Sequence, residues 1–257
     1  MISVCMATYN GEKYIKQQLD SILAQLGEND EVIISDDGST DKTVQIIENY
    51  NNNRIKLLFH QKNAELLKMP AASFRLSANN FENALNHAQG DFIHFSDQDD
   101  IWLPNRVKKM QAELEKYDLV MCNFKVIDDD DNVKNEKFYT ADPVNKSLLA
   151  NMLKTPFLGC CMAFRRDVLR YCMPFPKACI GHDYWMGCLI VRLGSFKFVE
   201  EPLHLYRKHS NNVSPATGKS KNPLWFKIMY RIRFFFQIIS YSNRYKKRQK
   251  INESLLY

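Results

Sequence analysis

The stretch HFSDQDDIW, His94 to Trp102, places Asp97, Asp99 and Asp100 within four positions, directly after a hydrophobic run with the character of a buried strand. Like charges this close repel, and the end of a buried strand raises the penalty, so the cluster requires a cation, basic partners or open solvent. Asp97 and Asp99 form an Asp-x-Asp unit. Such a unit offers two hard oxygen ligands from one short loop and leaves positions on Mg²⁺ or Mn²⁺ open to the oxygens of a diphosphate. A second acidic run, Asp128 to Asp131, reads instead as a solvated turn.

Two further polar clusters stand at the ends of earlier apolar runs: TYNGE, from Thr8, and SDDGSTD, from Ser35. Asn10 with Gly11, and Gly38 after Asp36 and Asp37, supply turn chemistry, and Ser39 or Thr40 can cap the next helix. No GxGxxG or GxxxxGK[ST] loop occurs, which argues against a dinucleotide-dependent oxidoreductase and a P-loop nucleotidase.

The elements that must position these clusters follow from periodicity. Strand-like Ile2 to Ala7 is followed by a helical stripe over Glu12 to Leu26 and a strand from Glu31 to Ser35, a βαβ unit. A helix over Asp41 to Tyr50, a strand Ile55 to Phe59, a helix near Ser77 to His87 and a strand Phe92 to Phe95 continue the alternation. The expectation is an α/β fold, a mostly parallel sheet with helices on both faces. Ligands then bind beyond the carboxyl ends of the strands, where all three clusters fall. Further on come a helix over Pro104 to Tyr117, a strand Leu119 to Ile127 and a mixed region to His209. A basic, aromatic-rich helix from Pro223 to Lys250 is expected to break near Ser240 to Asn243.

Lys and Arg total 35 against 29 Asp and Glu, a net charge of +6, and the excess sits in the tail. Seven cysteines without CxxC spacing suggest neither a complete disulfide framework nor a zinc site, so reduced thiols and a cytoplasmic setting are expected. Neither a signal peptide nor a membrane-spanning run is read from the sequence.

The joint pattern of ATYN, SDDGSTD some thirty residues on, and SDQDD at a later strand end resembles the family 2 glycosyltransferases of GT-A fold, a Rossmann-like nucleotide-diphospho-sugar transferase architecture. The resemblance covers about residues 1–210; residues 1–215 are expected to form the catalytic domain and 216–257 a helical tail. It implies a nucleotide pocket from Thr8, Tyr9, Asn10, Asp36 and Asp37. Asp97 and Asp99 become the ligands of Mn²⁺ or Mg²⁺ that engages the donor diphosphate. Within GHDYWMGCLIVRL it implies that Asp183 is the catalytic base, with His182 where an acidic partner is usual. Within LYRKHSNN it implies that His209 is a third metal ligand or diphosphate contact, and that Arg207 pairs with phosphate. An inverting single displacement follows. The processive members' Gln-rich motif ending in Arg-Trp is lacking, so one sugar per encounter is expected.

SDQDDIW with YRKHSNN is similar to a bacterial rhamnosyltransferase-like branch of surface polysaccharide assembly. Branch membership does not fix the donor: a UDP or dTDP sugar is expected first, with GDP left open, and the expected acceptor is a glycan or lipid-linked oligosaccharide. The tail then fits an anionic membrane surface, or else packs on the domain or in a homodimer interface. The competing readings are a nucleotide-sugar-binding subunit without turnover and a haloacid-dehalogenase-type phosphotransferase. The latter is disfavoured because DDGST lacks the x of DxDG[TS] and follows the second strand. Without a recognisable module, nucleic acid is not an expected partner.

Overall fold

A computed structural model describes residues 1–177, 179–210, 212 and 224–254. β1 (Ile2–Thr8) and β2 (Glu31–Asp36) are buried on both faces, which is why ISVCMA and EVII read as continuous apolar runs rather than alternating ones. Ile2, Val4, Met6, Val32 and Ile34 face one hydrophobic cluster, while Cys5 and Ile33 face another. α1 (Ile15–Leu23) and α2 (Thr43–Glu48) close the first side with Ile15, Leu19, Ile22 and Ile47. α4 (Ala72–His87), after the single turn α3 (Ala64–Leu67), closes the second with Ala78, Phe81, Ala84 and Leu85. With β3 (Ile55–Phe59) and β4 (Phe92–Ser96), the strands pair in the order β3-β2-β1-β4, all parallel.

The remaining elements are β5 (Ile101–Trp102), α5 (Arg106–Leu114), β6 (Leu119–Ile127), β7 (Val133–Asn135), α6 (Leu148–Leu153), β8 (Met162–Arg165), α7 (Leu169–Cys172), α8 (His182–Leu193), β9 (Phe196–Arg207) and α9 (Leu224–Ser254). They extend the sheet as β4-β8-β6-β9-β5, with β7 beside β6. β8 runs antiparallel to both β4 and β6, and β5 is antiparallel to β9. The parallel expectation therefore describes the first four strands, and the sheet as a whole is mixed. Because Ile101 pairs with Leu205 and Trp102 with His204, the end of β9 lies beside the SDQDD loop. LYRKHSNN and SDQDD thus meet across more than 100 residues of sequence.

Two local expectations differ. Ser39 and Thr40 do not cap α2: the Ser39 hydroxyl donates to Asp36 (2.6 Å), and Asp41 Oδ1 instead accepts the Thr43 N–H (3.0 Å). The tail helix does not break at Ser240 to Asn243 but runs unbroken from Leu224 to Ser254. The Ser242 hydroxyl donates to Ile239 O (3.0 Å) and accepts from Arg192 Nε of α8 (2.7 Å), so it is bonded along its own helix and to a neighbour. Phe234 and Ile238 are buried against the domain, and the Phe234 ring stacks on Tyr184 of α8 with centroids 4.2 Å apart. Among the described residues no helix is long and apolar enough to cross a membrane.

Candidate active site

Parallel pairing puts the carboxyl ends of β1, β2 and β4 on one rim, with Thr8 opposite Asp36 and Met6 opposite Ser96. There the first two polar clusters are tied together. Asp36 Oδ1 accepts from the hydroxyls of Thr8 (2.8 Å) and Ser39 (2.6 Å), and Oδ2 from the N–H groups of Gly38 (3.0 Å) and Ser39 (2.8 Å). Asn10, at φ 50°, accepts the Thr40 N–H at its Oδ1 (2.8 Å), and its own N–H reaches Ser39 Oγ (2.9 Å). Of the residues expected at the nucleotide, buried Thr8 and Asp36, with Asn10, therefore shape the loops from within. Four protein donors already engage Asp36, and further side chains neighbour it.

Those neighbours are Tyr9, Asp37, His60 and Lys62. Tyr9 is 48% exposed, and the Lys62 ammonium lies 3.3 Å from its ring centroid. His60 Nδ1 is 2.9 Å and Lys62 Nζ 3.9 Å from the Asp37 carboxylate. The sequence reading missed His60 and Lys62 because neither belongs to a motif. The usable signal was topological: a strand parallel to β2 must deliver its following loop beside Asp36, and the His60 N–H does bond Asp36 O (2.8 Å).

The SDQDD loop is locked to TYNG by Gln98, whose Oε1 accepts the Tyr9 N–H (2.9 Å) and whose Nε2 donates to Tyr9 O (3.1 Å). Gly11 makes room for this clamp, since a Cβ there would lie 2.4 Å from Gln98 Oε1. Loss of hydration raises the Asp97 carboxyl well above the usual carboxylate range, and the like charges of Asp100, Asp99 and Asp183 push it the same way. Asp183 occupies the first turn of α8, entered through Gly181 at φ 86°. Its Oδ1 accepts the Tyr184 N–H (2.7 Å) and its Oδ2 the Gly159 N–H (3.2 Å). His182, which stands where the resemblance places an acidic partner, is buried against Phe81 and Phe95, and burial pushes its imidazole down to about 4.

Asp100 has a different role from its neighbours. Arg106 Nη1 donates to His204 Nδ1 (2.8 Å), which leaves the His204 proton on Nε2 to be donated to Asp100 Oδ2 (2.8 Å), and the Arg207 N–H reaches Asp100 Oδ1 (2.8 Å). Asp100 is thus an accepting anchor between the loop and β9, with Arg106 as the distant countercharge. Burial and Asp99 raise its carboxyl, and the Arg207 N–H, the Cys160 thiol and the Arg106 charge oppose that shift.

Arg207, expected at a phosphate, is 1% exposed and engaged throughout. Its guanidinium donates to Asp99 O (2.9 Å), Asp128 O (3.1 Å) and Gln17 Oε1 (2.8 Å), pairs with Asp131 and lies over the Tyr14 ring. It positions the loop that carries Asp99 rather than facing open space. The Asp128 to Asp131 turn is correspondingly more than a solvated face, since Tyr14 and Lys13 meet Asp129 and Gln17 meets Asp131. His209 stacks near Tyr14, and its Nε2 lies 2.7 Å from Asp99 Oδ2.

Asp97, Asp99 and His209 make a donor set of hard oxygens with one imidazole, which suits Mn²⁺ or Mg²⁺, and a cation would relieve the repulsion that raises Asp97. The three do not form one tight cluster: Asp99 pairs with His209, while Asp97 groups with Asp100 and Cys160, donor atoms within 4.8 Å of one another. Cys160 and Cys161 also group with His204, but both His204 nitrogens are committed and burial holds both thiols protonated. A cavity of about 610 Å³ at the opposite, amino-terminal edge of β4, beside Asp91 and Arg165, holds none of these groups.

The glycosyl transferase family 2 model matches residues 3–172. An uncharacterized glycosyltransferase of Nostoc is 27% identical over 236 residues, 86% of this chain and 69% of that protein. The UDP-Glc:alpha-D-GlcNAc-diphosphoundecaprenol beta-1,3-glucosyltransferase WfgD of Escherichia coli is 30% identical over 194 residues, 75% of this chain and 70% of its own length. Among solved structures, Staphylococcus aureus TarS in complex with UDP-GlcNAc superposes with a TM-score of 0.65 at 22% identity, covering 91% of this chain and 66% of that one. Glucosyl-3-phosphoglycerate synthase of Mycobacterium tuberculosis, in complex with Mn²⁺, UDP and phosphoglyceric acid, gives 0.55 at 22% identity, covering 94% and 78%. The chain spans 60% of the uncomplexed TarS chain it also matches. These likenesses show a GT-A fold, and the match over residues 3–172 shows that the chain belongs to glycosyl transferase family 2.

Proposed function

We propose that the chain transfers a sugar, with inversion and one unit per encounter, from a nucleotide-diphosphate donor to a hydroxyl of a lipid-linked bacterial surface glycan, at the cytoplasmic face of the membrane. The observation that carries the reading is the gathering of Asp97, Asp99 and Asp183 at one rim, where burial raises the Asp97 carboxyl and the charges of Asp100, Asp99 and Asp183 add to that rise. Tyr9 offers the ring face for a base, and Asp37 accepts from its N–H groups or from ribose hydroxyls. Asp183, oriented by the Gly159 and Tyr184 N–H groups, accepts the proton of the acceptor hydroxyl as that oxygen attacks the anomeric carbon opposite the diphosphate. Asp97, Asp99 and His209 would hold Mn²⁺ or Mg²⁺, which when bound neutralises charge on the leaving diphosphate. The likeness to WfgD, named for a UDP-glucose donor and a diphosphoundecaprenol acceptor, supports a UDP or dTDP sugar and a lipid carrier.

The test is release of nucleoside diphosphate and elongation of an undecaprenyl-diphosphate-sugar acceptor. Chelator and Asp99→Ala should abolish both. Asp183→Asn should slow transfer by about 10²–10⁴-fold with nucleotide binding retained. Full turnover in Asp183→Asn would remove Asp183 from the reaction.

A further inference from the structure

α9 has two different faces. One is packed: Tyr230, Phe234, Ile238 and Tyr241 all join the core, and the Tyr230 hydroxyl donates to Ile180 O (3.0 Å) just before α8. The other bears Trp225, Met229, Ile232 and Phe236, spaced as one helical stripe and exposed by 66, 61, 48 and 65%. Leu149 and Leu153 of α6, the helix beside α9, are likewise exposed, by 58 and 63%. Arg231 brings α6 alongside by donating to Met152 O (3.2 Å) and Leu153 O (3.4 Å). Towards the other end of the same helix, exposed Arg244, Lys246 and Lys247 replace the apolar residues, and α9 carries eight Lys or Arg against a single Glu.

We propose that this stripe seats on an anionic lipid bilayer, with Trp225, Met229, Ile232, Phe236, Leu149 and Leu153 in the interface and the basic end on the headgroups. A large aromatic and aliphatic patch continuous with a cationic one has the chemistry of an interfacial helix. A second copy fits less well, because a two-fold contact along the stripe would bring two strongly cationic helices together. The Tyr230 bond to Ile180 and the Tyr184–Phe234 stack tie the apolar end of α9 to the start of α8. The first turn of α8, with Asp183, therefore lies on the packed side of α9; delivery of a lipid-anchored acceptor to it rests on the glycosyltransfer reading, whereas the lipid contact does not.

The experiment is flotation of the full chain with phosphatidylcholine vesicles, with and without phosphatidylglycerol. Binding is expected to the anionic vesicles, to fall with salt, and to weaken about fivefold for each lysine removed in Lys246→Gln and Lys247→Gln. The triple variant Trp225→Ser, Met229→Ser, Phe236→Ser alters exposed positions only. It should stay unbound while keeping the wild-type melting temperature and nucleotide-induced stabilisation. Failure of the wild type to float, equal binding to both vesicle types, or a wild-type dimer that the triple variant dissolves would each overturn the proposal. Release of nucleoside diphosphate from a soluble donor reports separately on the glycosyltransfer reading.

Discussion

Arg207→Ala separates an anchor from a phosphate ligand. The wild-type guanidinium is buried, donates to three oxygens at 2.8–3.1 Å, and pairs with the half-exposed Asp131. Removing one partner of a fully buried ion pair costs about 3–5 kcal/mol. Because Asp131 is 49% exposed, solvent screens the pair and the lower end applies, about 3 kcal/mol for the whole constellation. For a chain of this length about 2–4 °C of melting temperature accompanies each kcal/mol, so a fall of about 6–12 °C is expected. Arg207→Lys, which keeps the charge but not the planar fork, should recover less than half of it. The assay is thermal unfolding followed by circular dichroism without nucleotide. An unchanged melting temperature together with weakened diphosphate affinity would refute the anchor and restore the phosphate role.

Gly11→Ala should force Gln98 out of its clamp on Tyr9, because the new Cβ would lie 2.4 Å from Gln98 Oε1. The loss of two hydrogen bonds, about 1–3 kcal/mol, should appear as a lower melting temperature and weaker nucleotide binding. Burial pushes His94 down to about 3 and His182 to about 4, so the unfolded chain takes up protons that the folded one refuses. The stability these residues contribute is complete above about pH 6.5 and is lost as pH falls towards 4. Urea midpoints across that range should decline, and less steeply in His94→Leu, which removes two partnerless buried ring nitrogens. Phe234→Ala should cost about 3–5 kcal/mol by emptying the space between α9 and Tyr184, measured by chemical denaturation.

The strand Leu119 to Ile127 was legible because a strand buried on both faces leaves little choice of residue, and the half-exposed edge strand Ile55 to Phe59 was also read to the residue from its short apolar run. Helix ends were less so. Ser39 carries the capping residue type, but its hydroxyl oxygen accepts the Asn10 N–H while its proton goes to Asp36, and only the tertiary turn shows those partners. The polar run Ser240 to Asn243 reads as a break in isolation, yet α8 supplies Arg192 to bond Ser242 in place. At the site, spacing along the chain located the Asp-x-Asp unit, TYNGE and SDDGSTD, because each hugs a strand end. It could not distribute tasks among adjacent carboxylates: Asp36 and Asp100 are consumed by protein donors, while Asp37 and Asp99 meet His60 and His209. Those partners come from other strands. The surroundings of Arg207 were hidden for the same reason, since the carbonyls that accept from it belong to residues 99 and 128.

The most direct measurement is thermal stability against a panel of nucleoside diphosphates and their sugars, each with and without Mn²⁺. A ligand present at about 100 times its dissociation constant stabilises by about 2.7 kcal/mol. The expected result is a shift with one nucleotide class, UDP or dTDP, that needs Mn²⁺ and disappears in Asp99→Ala. Folded wild-type protein that shifts with none of them would contradict nucleotide-sugar binding at this rim, and a full shift without metal would contradict the role given to Asp97, Asp99 and His209.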